Sequence, residues 1–350
     1  MLSDSWNSYQ AELQEAWSQR TPQRFLEDSA LLPMLNHHFQ VAGKYLRPML
    51  AVSFYDLLKG TNAGSRPQAV VEVALAIELL HNATLVHDDL QDGDETRRGQ
   101  PTVWKKFDAY QAINAGSALY FYSLQAVAAL ELGVETRQRL QRLMIDQTLQ
   151  IIEGQALEKD LWSRLDQSTT YEQALELYRA VVENKTSALF VMPLGAAAIL
   201  AGLDYATVES LTSMARPLGT LFQIQDDLVD LYGNKGRDEP GMDIAEGKPS
   251  MLALYALHRA EPEQQSWLRD ILRKPRQETT SEDIDEVMRL YQRSGALDEA
   301  LTTLDRLQWV ALDEAGKLET GADSEAFKAY LQDVCALFLR PIRHLLAKEE

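Results

Sequence analysis

The chain carries one five-residue pattern twice: Asp88-Asp89-Leu90-Gln91-Asp92 and Asp226-Asp227-Leu228-Val229-Asp230. Each Asp-Asp-x-x-Asp copy closes a stretch of helical hydrophobic periodicity. Residues i and i+4 share a helix face, so Asp88 stacks with Asp92 and Asp226 with Asp230. Like carboxylates brought together cost free energy unless a cation lies between them. Mg²⁺ takes one or two carboxylates and fills its octahedron with water and substrate phosphate oxygens. Each cluster therefore reads as half of a magnesium–phosphate site; the competing reading is a solvated acidic helix end. A calcium loop does not fit. With Gly93 at the turn position, positions 3 and 12 fall on Leu90 and Gly99, which carry no side-chain oxygen.

Cations suited to phosphate stand beside both clusters. Arg97 and Arg98 follow the first by five and six residues, and Lys235 and Lys248 follow the second. Lys44 and Arg47 lie in Gly43-Lys44-Tyr45-Leu46-Arg47-Pro48, and Lys185-Thr186 lies in a helical stretch. Arg offers phosphate a planar fork and Lys a point charge. His81 precedes Asp88 by two helical turns and Gln223 precedes Asp226 by three residues, so each shares the face of its cluster.

The elements that must hold these residues are helices. Apolar residues recur at three- and four-residue steps over Gln68–Leu85, Gln111–Leu132, Glu135–Ile152, Tyr171–Val191, Ala206–Tyr232, Ser250–Ala260, Ser281–Ser294 and Ser324–Leu339. No run alternates convincingly as a strand, and no Asn-Gly hairpin signal occurs. The longest irregular stretch is Gly233–Pro249, a length that is usually functional or disordered. One all-α domain over residues 1–350 is expected. Ala109–Leu130 is too polar to span a membrane, and Thr186–Leu203 is short and holds Pro193, Gly195 and Gly202, so both are expected as buried helices.

Charge and composition narrow the classes further. A net charge of −18 excludes a basic nucleic-acid footprint and disfavours docking on an anionic membrane. The single cysteine, Cys335, excludes an internal disulfide framework and a multi-cysteine zinc site. With no apolar run in Met1–Gln19, a cytoplasmic location is expected.

Taken in order, these motifs resemble the trans-type isoprenyl diphosphate synthases, the polyprenyl synthetase family. The resemblance runs from Gly43-Lys44-x-Leu46-Arg47-Pro48 through Glu78-Leu79-Leu80-His81, Leu85-Val86-His87-Asp88-Asp89 and Arg97-Arg98-Gly99-Gln100-Pro101-Thr102. It continues with Gly154-Gln155, Asn184-Lys185-Thr186, Phe222-Gln223-Ile224-Gln225-Asp226-Asp227, Gly241-x-Asp243-Ile244-x-Glu246-Gly247-Lys248 and Ser294-Gly295-Ala296-Leu297. It implies an isoprenoid synthase-type helical bundle around a deep central cavity, usually a homodimer. It also implies three Mg²⁺ ions, for which Mn²⁺ can substitute, bridging the aspartates to an allylic diphosphate. Asp88, Asp92 and Asp226 would be the main metal ligands, with Asp230 in the same metal set. Asp89, Asp227 and Asp230 would lend support through water. Arg97, Lys185, Thr186, Gln223, Lys248 and Lys235 would hold the allylic diphosphate. Lys44, Arg47, His81 and Arg98 would hold isopentenyl diphosphate.

Three positions depart from the family pattern. Tyr45 stands where Arg is usual, Ser117 where Asp is usual, and Glu158 where an Asp usually follows the Gly-Gln pair. Ala83 and Thr84, just before the first cluster, are small, so no aromatic plug is expected there. Leu80, Tyr120, Phe121 and Tyr122 would form a deeper floor, which favours geranylgeranyl diphosphate as product. Two rival readings are a class I terpene cyclase, which needs no isopentenyl diphosphate site, and a non-catalytic subunit, which would be expected to lose one aspartate cluster.

Overall fold

The computed structural model describes residues 2–25, 28–62, 65–165, 169–233, 240–317 and 324–346. The chain is built from helices: α1 (Leu2–Arg20), α2 (Leu32–His38), α3 (Leu46–Lys59), α4 (Gln68–Asp92), α5 (Val103–Lys106), α6 (Ala109–Ala128), α7 (Val134–Arg164) and α8 (Tyr171–Val182). After a π-helical turn at Glu183–Ser187 come α9 (Ala188–Ala201), α10 (Tyr205–Tyr232), α11 (Met242–Ala245), α12 (Met251–Arg259), α13 (Pro262–Leu272), α14 (Ser281–Arg293), α15 (Ala296–Gly316), α16 (Ser324–Leu339) and α17 (Arg343–Leu346). The all-α expectation holds. The sheet content among the described residues is one hairpin, β1 (Thr96–Arg97) against β2 (Gln100–Pro101).

The chain divides into two compact units. The first comprises Met1–Leu149, Leu189–Ala215 and Glu314–Asp333, and the second Gln150–Ala188, Arg216–Asp313 and Val334–Glu350. In the first unit α4 packs against α3 and α6. Its residues from Val70 to Val86 are almost all buried, which is why its apolar positions show so little gap. A cluster including Phe25, Leu35, Leu79, Ala83, Val86, Ala115 and Leu119 fixes α6 beneath the aspartate end of α4. Burying each Phe, Leu or Val of this cluster contributes roughly 1.5–3 kcal/mol.

In the second unit α8 packs on α12, and α12 on α13 and α14. Helix starts here are written in the sequence. Thr170 and Gln173 form a reciprocal capping box on α8, and Ser250 Oγ accepts the Ala253 N–H at the start of α12. Two helical segments, Gln68–Asp92 and Tyr171–Ala201, are long and apolar enough to cross a membrane. Their most apolar windows are 83% and 78% buried, which is the environment of core helices. Of the two uncharged runs in the sequence, Thr186–Leu203 lies largely within the second of these segments and Ala109–Leu130 within neither.

Candidate active site

In the first unit, Asp88, Asp89 and Asp92 occupy the last turn and a half of α4. Asp88 and Asp92 are half-buried and reachable, whereas Asp89 is buried. Asp89 Oδ1 accepts from Arg97 Nε at 2.6 Å and pairs with Nη2 at 2.5 Å. Burial pushes the Asp89 carboxyl up to about 6 even though Arg97 pulls the other way. The first cluster thus divides its labour: two carboxylates face outward and one anchors Arg97.

The hairpin sets this geometry. Arg97 pairs with Gln100 across a two-residue turn, Arg98-Gly99, in which both residues have positive φ (53° and 74°). That is the pattern of a type I′ turn, which matches strand twist and strongly favours Gly at its second central position. Arg98 takes the first position, where Asn is commoner, and donates from Nη1 to the Val41 carbonyl at 3.0 Å.

Arg47 and His81 meet in the same unit. Arg47 Nη1 lies 3.0 Å from His81 Nε2, and the guanidinium also sits over the Phe190 ring. Burial and the neighbouring Arg47, Arg98 and Arg97 charges hold His81 well below the usual imidazole range. The imidazole is therefore neutral and accepts from Arg47. Its Nδ1 is enclosed and makes no hydrogen bond, so it is a donor awaiting a partner. Lys44 is exposed beside them. Tyr45 is buried with a left-handed backbone (φ 53°) and packs edge-on against Trp17. The position thus adds wall rather than charge.

Beneath these cations runs a buried polar chain that sequence reasoning left without a role. His38 Nε2 donates to Asn82 Oδ1 at 2.9 Å, and Asn82 Nδ2 reaches Glu78 Oε1 at 3.2 Å. Burial drives His38 down to about 3, so it is neutral and acts as the donor. The Glu78 carboxyl is raised by burial, with Arg47, Asn82 and Arg98 opposing. Glu78 lies in Glu78-Leu79-Leu80-His81, so an acidic residue on a buried helix face was the available signal.

In the second unit one small cavity is lined by Lys185, Thr186, Gln223, Asp227, Lys248 and Glu158. Four of these were expected at the allylic diphosphate and a fifth, Asp227, beside it. Thr186 Oγ1 donates to Gln223 Oε1 at 2.6 Å, and Gln223 Nε2 donates to Asp227 Oδ1 at 2.8 Å. Lys185 Nζ lies 2.5 Å from Glu158 Oε2, so the Glu that departs from the family pattern serves as the tether of Lys185. Lys248 pairs with Asp243 at 2.9 Å and with Glu246 at 2.8 Å. Lys185 and Thr186 sit in the π-helical turn, a feature frequent at functional sites. Gly154 on α7 makes that turn possible: a Cβ there would fall 2.3 Å from the Lys185 backbone nitrogen.

Asp226 is half-buried, while Asp230 is buried and its Oδ2 accepts the Asp243 N–H at 2.9 Å. Lys235 lies outside the described residues. Among the described residues no group of three or more His, Cys, Asp or Glu could by itself enclose a metal. Within each unit, the outward pair on α4 and the half-buried Asp226 are the kind of carboxylate a hard cation takes when water and phosphate complete its shell.

Around the chain-length positions, Leu80 and Ala83 are fully buried and Thr84 Oγ1 donates to the His81 carbonyl. Tyr120 packs on His87, and burial, helped by the nearby Asp88 charge, raises its phenol. Tyr122 packs edge-on against Phe25. Phe121 does not join them: it is 73% exposed, because one residue along a helix turns the side chain by about 100°. Ser117 is half-buried on α6.

The polyprenyl synthetase family model matches residues 28–291. The chain belongs to the polyprenyl synthetase family. It is an enzyme of the trans-prenyl diphosphate synthase class, a transferase. This synthase is 33% identical over 290 residues to a short chain isoprenyl diphosphate synthase of Methanothermobacter thermautotrophicus, with 82% of each chain covered. It is 33% identical over 269 residues to a geranylgeranyl diphosphate synthase of Saccharolobus solfataricus (75% of this chain, 77% of the relative). It is 32% identical over 256 residues to an octaprenyl diphosphate synthase of Escherichia coli (69% and 74%). A crystal structure of a geranylgeranyl pyrophosphate synthase shares the fold, with a TM-score of 0.81, 24% identity and 99% of both chains covered. A polyprenyl synthase from Caulobacter crescentus CB15, solved in complex with calcium and isoprenyl diphosphate, superposes with a TM-score of 0.78 at 25% identity (96% and 97% covered).

Proposed function

We propose that this synthase condenses isopentenyl diphosphate with an allylic diphosphate in a Mg²⁺-dependent reaction, giving chiefly geranylgeranyl diphosphate. The observation that carries this reading is the cavity where Lys185, Lys248, Thr186 and Gln223 meet, since two cations beside two hydrogen-bonding side chains suit a phosphate-bearing ligand. Asp88, Asp92, Asp226 and Asp230 would hold the metal; when bound, it neutralises charge on the leaving diphosphate. Lys185, Lys248 and Arg97 bear on that same charge. They stabilise it as the allylic C–O bond ionises, and they need no reorganisation because Glu158, Asp243 and Asp89 already fix them. The double bond of isopentenyl diphosphate then attacks the allylic carbon, and the departing diphosphate takes the proton that is lost.

Arg47, His81 and Arg98 are read as the isopentenyl diphosphate site, with Glu78 holding the two arginines in place. This retained site favours prenyl transfer over a cyclase, and two complete aspartate motifs favour a catalytic chain over a silent subunit. Glu78→Gln keeps the shape and the Asn82 contact but removes the charge. It is expected to raise KM for isopentenyl diphosphate about tenfold and leave KM for the allylic substrate within about twofold, as one charge-assisted interaction is worth roughly 1.5–3 kcal/mol. Equal shifts in both KM values would remove Glu78 from this role.

The product reading rests on small Ala83 and Thr84 above a floor that includes Tyr120. Labelled isopentenyl diphosphate with dimethylallyl, geranyl and farnesyl diphosphates as separate starters tests it: all three are expected to end at C20. Tyr120→Ala is expected to lengthen the product and Phe121→Ala to leave it unchanged. C15 or C40 products from the wild type would displace the C20 reading. Manganese is expected to substitute, and cytoplasmic location remains part of the proposal. We also propose a homodimer: Tyr110, Ile113 and Phe121 on α6 and Ile145 and Leu149 on α7 are exposed apolar side chains of the first unit that a second copy could cover.

A further inference from the structure

Two consecutive histidines close α2, and they reach different elements. His38 joins the Asn82–Glu78 chain on α4. His37 is 5% exposed and turns to the hairpin: its Nε2 lies 2.7 Å from the Pro101 carbonyl oxygen, and the Lys106 ammonium of α5 lies 3.0 Å from its Nδ1. The Phe107 ring packs edge-on against the imidazole. A carbonyl only accepts and an ammonium only donates, so the two partners fix the ring: Nε2 carries the proton and Nδ1 the lone pair. Both ring nitrogens of a buried histidine are thereby satisfied.

Pro101 suits that contact. The Thr102 N–H donates to the Glu95 carbonyl at 2.9 Å. Ladder bonds of an antiparallel pair fall on alternate residue pairs, so the adjoining Thr96–Pro101 pair exchanges none. Proline costs the ladder no N–H at such a place, and its carbonyl is left for His37. The stretch after α2 also grips the turn, where the Val41 carbonyl accepts from Arg98 Nη1 at 3.0 Å. Residues 37–41 thus hold the hairpin at two points and α4 at one, and His37, His38, Val41, Arg97, Arg98 and Pro101 line one small cavity. The two hairpin arginines depend on this unequally. Arg97 has an anchor of its own in Asp89, whereas the Arg98 guanidinium is tied to the stretch itself.

We propose that His37 is a positioning residue for isopentenyl diphosphate: through Pro101 it sets the hairpin, and with it Arg98, at a fixed distance from the Arg47–His81 pair, while His38 fixes the α4 end of the same bracket. The inference rests on the reading of Arg47, His81 and Arg98 as the isopentenyl diphosphate site.

Steady-state kinetics with each substrate varied in turn, on the full chain, test it. His37→Leu is expected to raise KM for isopentenyl diphosphate about tenfold and to leave kcat and the allylic KM within about threefold, because Asp89 still holds Arg97. The side-chain amide of glutamine reaches where Nε2 lies, and that of asparagine where Nδ1 lies. His37→Gln is therefore expected to bring the KM back to within about threefold of wild type, and His37→Asn to stay near the leucine value. A purely structural role would move kcat and both KM values together, in step with the melting temperature. Arg98→Gln sets the scale and is expected to raise the same KM about tenfold or more. Should His37→Leu not fold, the contrast between His37→Gln and His37→Asn still decides. An unchanged KM for isopentenyl diphosphate in Arg98→Gln would overturn the reading of the site and the proposal with it. A raised KM in Arg98→Gln without one in His37→Leu, equal losses for both substrates in His37→Leu, or no advantage of His37→Gln over His37→Asn would overturn the proposal alone.

Discussion

Replacing Asp88 by alanine is expected to lower kcat/KM by about 10³-fold or more, and Asp226→Ala to do the same. A metal ion contributes several kcal/mol by neutralising charge on a leaving group, and each roughly 1.4 kcal/mol is tenfold in rate. Stability is expected to move the other way or not at all. Asp88 is half-buried at the C-terminal end of α4, where the helix dipole disfavours a negative charge, so its removal is expected to move stability by less than about 1 kcal/mol. The two readouts thus separate a ligand from a structural residue. Magnesium with a non-hydrolysable allylic diphosphate analogue should raise the melting temperature of the wild type and not of Asp88→Ala, because only a folded state that binds is stabilised. Asp89→Ala makes the contrast: it strands Arg97, and breaking a buried pair costs about 3–5 kcal/mol. An Asp88→Ala variant within tenfold of wild-type turnover would refute the assignment.

The second large effect is expected from Gly154→Ala. In an ordinary helix interior that change stabilises by up to about 1 kcal/mol. Here the added methyl would lie 2.3 Å from the Lys185 backbone nitrogen and 2.8 Å from its Cα, where no flexible side-chain end can give way. Either α7 or the π-helical turn must shift. The cost is expected to be about 1–3 kcal/mol, as for other overpacked sites, so the sign is reversed. The shift falls on Lys185 and on the Thr186–Gln223–Asp227 chain, and misplacement by about 1 Å can cost 10²-fold in rate. A lowered melting temperature together with an allylic kcat/KM reduced about a hundredfold is predicted. A more stable Gly154→Ala enzyme with unchanged kinetics would contradict it.

Much of this architecture is written in hydrophobic spacing. The stretch read as Ala206–Tyr232 is the helix Tyr205–Tyr232, Ser324–Leu339 matches at both ends, and Ser281–Ser294 differs by one residue. Long amphipathic or buried helices leave a 3.6-residue signal that tertiary packing rarely overrides. The two aspartate motifs were equally legible, since their meaning rests on i, i+4 geometry. Features with no periodic signature escaped. The π-helical turn at Glu183–Ser187 shifts hydrogen bonding by one residue without interrupting the helical spacing on either side, so Tyr171–Val191 reads as one helix. The hairpin at Arg98-Gly99 lacks the usual Asn, and its strands are two residues long, too short to alternate. Phe121 sat in an aromatic trio that spacing could not sort by face. His38, Asn82 and Glu78 come from two helices, and their chain of hydrogen bonds exists only once α2 and α4 are folded.

The most direct test of the account is geranyl diphosphate given to the enzyme with magnesium, with and without isopentenyl diphosphate. The account predicts a longer prenyl diphosphate only when isopentenyl diphosphate is present, and none once the metal is chelated. A hydrocarbon or alcohol formed without isopentenyl diphosphate, and no elongation with it, would contradict it.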